Sequence, residues 1–234
     1  MSERIDALRI RMATAAAASG RSVDSVTLLA VSKGQGAEAI RAAAAAGLTD
    51  IGESYLTEAL EKMAALADLP LTWHYIGRLQ ANKTRQVAER FAWVHGLDRL
   101  KIAERLAAQR PYHAPALNVC IQVNLAGEAT KGGIPAAQVP ELAAAVAALP
   151  RITLRGLMCI PPEETAPERQ RPWFARLRAL GDSLNAGGLS LDTLSMGMSG
   201  DFEAAIQEGA TIVRVGTAIF GPRAGTAPRT IPEP

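Results

Sequence analysis

After Gly20 the chain alternates between short runs rich in β-branched and aromatic residues and longer stretches rich in alanine and leucine. Eight of the short runs read as strands: residues 26–31, 50–52, 72–76, 93–95, 117–124, 154–160, 193–196 and 211–215. Between them, apolar positions three and four residues apart predict helices over 38–46, 55–67, 82–90, 98–110, 136–148, 168–186 and 201–208. Strand and helix in strict alternation argue for βαβ units, because parallel neighbours need a crossover long enough to bring the chain back to the same end of the sheet. Eight strands point to closure into a single (β/α)8 barrel rather than a six-stranded open sheet. One extra helix precedes the barrel, marked by Ile5, Leu8, Met12 and Ala15.

A chain of 234 residues suits one such barrel, which typically takes roughly 250. Hydrophobic residues make up 48%, enough for a sizeable core. No linker, low-complexity segment or repeat of fixed period divides the chain, so residues 1–223 read as one domain. Residues 224–234, with Pro228, Pro232 and Pro234, read as an unstructured tail. Twenty-five basic residues are scattered among 23 acidic ones, which gives no case for a nucleic-acid or membrane partner. Cys120 and Cys159 both sit in apolar strand-like runs, without the spacing of a disulfide framework or a metal site. The first 18 residues carry Glu3, Asp6 and three arginines and lack the apolar stretch of a signal peptide, so the expectation is a cytoplasmic protein.

Barrels of this class place their chemistry at the C-terminal ends of the strands. The first strand runs straight into Ser32–Lys33. A lysine aimed at the barrel mouth among apolar neighbours is driven toward the neutral amine, the form that attacks aldehydes. By position alone it could equally be a solvated lysine ending a strand. Phosphate is often held by the loops after the seventh and eighth strands. Here these are Gly197–Met198–Ser199–Gly200–Asp201 and Gly216–Thr217, with small residues that admit backbone N–H groups close to an anion. Arg214 interrupts an apolar strand between Val213 and Val215, where alternation turns it inward. A buried arginine needs a partner: either a carboxylate such as Glu53, or the ring nitrogen of a bound cofactor. His74 either lines the cavity or is a satisfied core histidine, and His95 and His113 read as structural. Gln122 and Asn124 are expected to point into a polar cavity, and Glu128 with Lys131 to form a surface pair.

Several longer stretches then resemble one family. They are Ala30–Val31–Ser32–Lys33, Gly52–Glu53–Ser54–Tyr55, Trp73–His74–Tyr75–Ile76–Gly77–Arg78–Leu79–Gln80–Ala81–Asn82–Lys83, Leu194–Ser195–Met196–Gly197–Met198–Ser199 and Val213–Arg214–Val215–Gly216–Thr217–Ala218–Ile219–Phe220–Gly221. In this order, across nearly the whole chain, they resemble the pyridoxal phosphate homeostasis proteins. The resemblance implies the barrel of the alanine racemase N-terminal domain, the type III fold of pyridoxal 5′-phosphate (PLP) proteins. It implies PLP as cofactor, held as a Schiff base on Lys33, with Arg214 facing the pyridine nitrogen and Ser199, Gly216 and Thr217 holding the phosphate. Ser54, His74 and Met196 would lie around the ring. No catalytic residue and no metal ligand follow from it.

Three positions depart from the family pattern. Ser54 stands where asparagine is usual, Gly34–Gln35–Gly36 replaces a threonine-containing turn and would loosen the loop beside Lys33, and Arg78 stands where proline is usual. The implied function is that of a non-catalytic carrier that buffers PLP, passes it to apo-enzymes and thereby affects amino-acid pools, as a monomer or weak homodimer. The competing reading is an amino-acid racemase of the alanine racemase type. Racemisation needs a second acid–base group facing Lys33, and Tyr55, Tyr75 and Tyr112 all belong to barrel segments, which favours the carrier.

Overall fold

A computed structural model describes residues 1–128 and 130–221. The expected tail at 224–234 and the domain limit at 223 lie outside these residues. The chain opens with α1 (Ser2–Ala18), then β1 (Thr27–Val31), α2 (Ala37–Ala45), β2 (Asp50–Glu53), α3 (Leu56–Ala65) and β3 (Thr72–Tyr75). It continues with α4 (Thr84–Arg90), β4 (Trp93–Leu97), α5 (Leu100–Gln109), β5 (Leu117–Val123), α6 (Val139–Ala147), β6 (Ile152–Cys159) and α7 (Pro167–Ala186). Last come β7 (Thr193–Ser195), α8 (Phe202–Gln207), β8 (Ile212–Val215) and a short α9 (Thr217–Phe220).

All eight expected strands are present, and they form a closed parallel barrel in chain order. Closure is made by β8 against β1, with Thr27 beside Ile212, Leu29 beside Arg214 and Ala30 beside Val215. Parallel neighbours in register share a face, so Leu29 and Arg214 both turn into the barrel. The same rule carries round the barrel: Val31 pairs with Gly52, Gly52 with His74 and His74 with Trp93.

The outer faces of the strands and the inner stripes of the helices form one continuous core, with Ile51, Val94, Leu157 and Val213 fully buried beneath Ile40, Val87, Leu106 and Phe174. The stripe on α1 is the one the sequence predicts: Ile5, Leu8, Met12 and Ala15 are all buried. This helix packs on α8 and α9, and Arg21 Nη1 donates to Ile206 O at 2.8 Å. Each large apolar side chain so buried contributes about 1.5–3 kcal/mol. Boundaries differ from expectation mainly at helix starts, where 81–83 and 136–138 form 3-10 turns before α4 and α6 begin. Helix α9 has no counterpart in the sequence reading, because four residues are too few to show a helical period.

Candidate functional site

A cavity of about 290 Å³ opens at the C-terminal ends of the strands. Six of the expected site residues line it: Lys33, Ser54, Ser199, Arg214, Gly216 and Thr217. They come from four different strand ends, so closure of the barrel brings them together and no local stretch of sequence does. Val31, Ile76, Ile160 and Met198 complete an apolar wall, and Gln35 adds an amide.

The loop carrying Lys33 is tied down on both sides. Before it, Ser32 is fully buried and its hydroxyl donates to Glu53 Oε1 at 2.5 Å. After it, the Gly34 N–H donates to Glu58 Oε1 at 2.6 Å, and Gln35 N–H donates to Ser32 O at 2.9 Å. Gly34 adopts a φ of 74°, a left-handed conformation that a glycine enters without strain. The turn is therefore hydrogen-bonded on both sides of Lys33 with the Gly34–Gln35–Gly36 sequence in place. Lys62 anchors the arrangement from α3, donating to Ser32 O at 2.7 Å and to Glu53 Oε1 at 2.6 Å. Burial pushes the Glu53 carboxyl up, opposed by Lys62 and Ser32.

Glu53 consequently belongs to the outer face of the barrel and is not the partner of Arg214. Arg214 is buried, and its Nη1 donates to Ser195 Oγ and its Nη2 to Cys159 O, both at 2.9 Å. Among the described residues no carboxylate forms an ion pair with it. Burial lowers its pKa, opposed by Cys159 and Asp201.

The two glycine loops meet at one end of the cavity. Met198 N–H donates to Asp201 Oδ1 at 2.5 Å, which folds residues 198–201 into a tight turn. Gly216 has an ordinary φ of −115°, but a Cβ there would lie 3.0 Å from Val31 O. A side chain there would press on the β1 backbone, so a glycine suits the close approach of β8 and β1 at that height. Ser199, Gly200, Gly216 and Thr217 thus form a small-residue cradle beside a buried guanidinium and across from a lysine. A planar ring with one anionic group and one aldehyde fits this donor set: small-residue loops for the anion, a cation for a ring acceptor, and an amine for the aldehyde.

His74 and Met196 are not among the residues that line the cavity, and His74 fits the second of its two readings, a satisfied core histidine. His74 lies in the barrel interior, stacked on Trp93 with ring centroids 5.5 Å apart and hydrogen-bonded to His95 and Asp50. Met196 is fully buried in the hydrophobic core, whereas Met198, two residues on, reaches the cavity. His95 is fully buried in the interior and His113 is exposed on a loop. Gln122 is held by Gly132 O at 3.1 Å, and Asn124 closes the turn at 124–128 by accepting from Gly127 and Glu128 N–H rather than facing a cavity. Glu128 and Lys131 do pair, at 3.1 Å. Arg78 is exposed and outside the lining.

Comparison with known proteins gives the family and the fold. The family model for the alanine racemase N-terminal domain matches residues 4–224. The pyridoxal phosphate homeostasis protein of Pseudomonas aeruginosa is 57% identical over 228 residues, covering 97% of this chain and 98% of that protein. This chain belongs to the pyridoxal phosphate homeostasis protein family. The family member from Escherichia coli K12 is 49% identical over 219 residues, covering 92% of this chain and 94% of its own. Among solved structures, PipY of Synechococcus elongatus with PLP bound superposes with a TM-score of 0.84 at 38% identity, covering 94% of this chain and 99% of PipY. An alanine racemase from Corynebacterium glutamicum, at 18% identity and a TM-score of 0.67, covers 95% of this chain and 62% of its own and shares the fold alone. No helix among the described residues is long and apolar enough to cross a membrane.

Proposed function

We propose that this protein holds PLP as a Schiff base on Lys33 and serves PLP homeostasis as a non-catalytic carrier in the cytoplasm, as a monomer or weak homodimer. The observation that carries the reading is the convergence of Lys33, Arg214 and the Ser199 and Gly216–Thr217 loops on one cavity. Family members named for PLP homeostasis, and the PLP-bound relative from Synechococcus, support it. In this reading Lys33 supplies the amine, the two glycine loops take the phosphate, and Ser54 lies beside the ring. Arg214, a cation, faces the ring nitrogen and keeps that nitrogen unprotonated. When bound, PLP supplies a reactive aldehyde and an electron-withdrawing ring.

The tyrosines favour a carrier over a racemase. Tyr75 is buried with its hydroxyl directed to Arg78 O, Tyr112 is 91% exposed, and Tyr55 is 63% exposed at the start of α3. None of the three lines the cavity. A two-base racemisation therefore has no tyrosine opposite Lys33 among the described residues. Ile160 and Met198, both partly exposed at the mouth, offer an apolar rim to a recipient apo-enzyme.

Absorbance spectra of wild type and Lys33→Ala with added PLP, before and after borohydride, test the site. The wild type should show a visible band that borohydride traps, and Lys33→Ala should show neither; a trapped adduct in Lys33→Ala would refute the assignment. The same loaded protein incubated with L-alanine should yield no D-alanine, and accumulation of the D isomer would replace the carrier with the racemase.

A further inference from the structure

A chain of four hydrogen bonds crosses the barrel interior beneath the cavity. Arg214 Nη1 donates to Ser195 Oγ at 2.9 Å, and Ser195 Oγ lies 2.7 Å from His95 Nδ1. His95 Nε2 lies 2.9 Å from His74 Nδ1, and His74 Nε2 lies 3.0 Å from Asp50 Oδ1. Ser195, His95, His74 and Arg214 are all buried. Asp50, with its side chain 30% exposed, lines a second hollow between the N-terminal end of the barrel and α1.

The chemistry of the two ends sets the direction of every link. A guanidinium only donates and a carboxylate only accepts. Asp50 can only accept, so His74 donates to it from Nε2 and has a bare Nδ1 that accepts from His95 Nε2–H. His95 Nδ1 is then bare and takes the Ser195 hydroxyl proton, while Ser195 accepts from Arg214. With both imidazoles neutral and Asp50 ionised, no other arrangement satisfies all four links. The reverse direction requires either a doubly protonated His74 or a neutral Asp50. Burial, which pushes both imidazoles below their ordinary range, agrees with neutral rings.

The arrangement has a consequence for the site. Arg214 is gripped on its inner side by Ser195 and by Cys159 O, and among the described residues no carboxylate pairs with it. Through Ser195, His95 and His74 that inner side is linked by hydrogen bonds to the Asp50 carboxylate at the far end of the barrel. We propose that Ser195, His95, His74 and Asp50 are positioning residues for Arg214, a one-way donor chain that fixes the guanidinium toward the cofactor ring and couples the Asp50 end of the barrel to it. This rests on the reading that PLP occupies the cavity. Groups that act as one unit respond non-additively to substitution, which separates a coupled chain from four independent packing contacts.

Two measurements test the proposal. The first uses the wild-type protein without added PLP and reads 15N shifts of the imidazoles. Both His74 and His95 should be neutral Nε2–H tautomers at pH 7; a doubly protonated His74, or His95 carrying its proton on Nδ1, overturns the direction. The second uses PLP-loaded protein. Ser195→Ala and Asp50→Ala should each shift the visible band the same way and weaken PLP binding several-fold, and the double variant should do no worse than the stronger single one. Ser195→Thr, which restores the hydroxyl, should recover most of the loss. An Asp50→Ala protein with wild-type band and affinity, or additive effects in the double variant, sinks the chain. Absence of a trapped adduct in the wild type would instead sink the PLP reading, and the imidazole shifts would still decide the direction of the links.

Discussion

Lys62 Nζ lies 2.6 Å from Glu53 Oε1, with both side chains buried on the outer face of the barrel directly behind the lysine-bearing loop. The same ammonium reaches Ser32 O and Glu58 Oε1, and Glu58 in turn accepts from Gly34 N–H. A single cation on α3 therefore holds both flanks of Lys33. Among the described residues the buried Glu53 Oε2 has no hydrogen-bond partner, so the carboxyl depends on this pair for its compensation.

Replacing Lys62 by methionine leaves Glu53 buried without its cation. The expected loss is about 3–5 kcal/mol of unfolding free energy, the cost typical of breaking a buried pair from one side. Glu53→Gln in the same background should recover part of it, since the uncompensated charge is gone. Urea unfolding of the three proteins measures both effects, and a Lys62→Met loss under about 1 kcal/mol would contradict the assigned role.

Stability should fall as the pH is lowered through the range below about 6.5. In the unfolded chain His74 and His95 take up protons near that pH. In the folded barrel burial holds both lower, and for His95 the charges of His74 and Arg214 add to the effect. Between the two values the unfolded state binds more protons, so the contribution is present above pH 6.5 and is lost on acidification. Each histidine gives up to about 1.4 kcal/mol per pH unit. Glu53, whose carboxyl is raised, acts with the opposite sign as the pH climbs above its ordinary 4.5. Comparing wild type with His95→Gln isolates the imidazole part: the slope between pH 6.5 and 5.5 should drop toward half, and an unchanged slope would rule the explanation out.

A methyl group at Gly216 meets Val31 O at 3.0 Å, and the ordinary φ there means contact rather than backbone conformation is the obstacle. Gly216→Ala should displace the end of β8 from β1, weaken PLP binding about tenfold (1.4 kcal/mol) and cost about 1–3 kcal/mol of stability. Titration of the visible band gives the affinity and urea unfolding the stability. Binding as tight as wild type would show that the phosphate cradle does not need this close approach.

Cys120 and Cys159 are fully buried, and burial pushes both thiols up to about 12. At pH 8 only about one molecule in 10⁴ carries a thiolate at either position. Neither should react with a thiol reagent in the native protein within the time that both react in denaturant. Rapid native labelling of Cys159 would mean that the strand whose carbonyl holds Arg214 opens readily.

The amino-acid sequence by itself determined the number and order of the strands, the buried stripe of α1, and the approach of Lys33 and two glycine loops to one end of the barrel. These are consequences of periodicity and of glycine at strand ends, and both are local. Period two also turned Arg214, His74 and His95 to one face of their strands. It could not say how deep each one sits, because depth depends on the stagger between neighbouring strands, which exists only once β8 has closed on β1. That stagger puts Arg214 at the cavity and His74 and His95 below it, and it leaves Met198 rather than Met196 at the wall. Alternation beside inward-facing Gly52 sends Glu53 outward to Lys62, so Arg214 finds a serine hydroxyl and a backbone carbonyl in place of the carboxylate that was one of its expected partners. Only the tertiary structure decided the partners of the buried polar groups, because such partners come from residues as much as 100 positions apart, as Ser195 and His95 are.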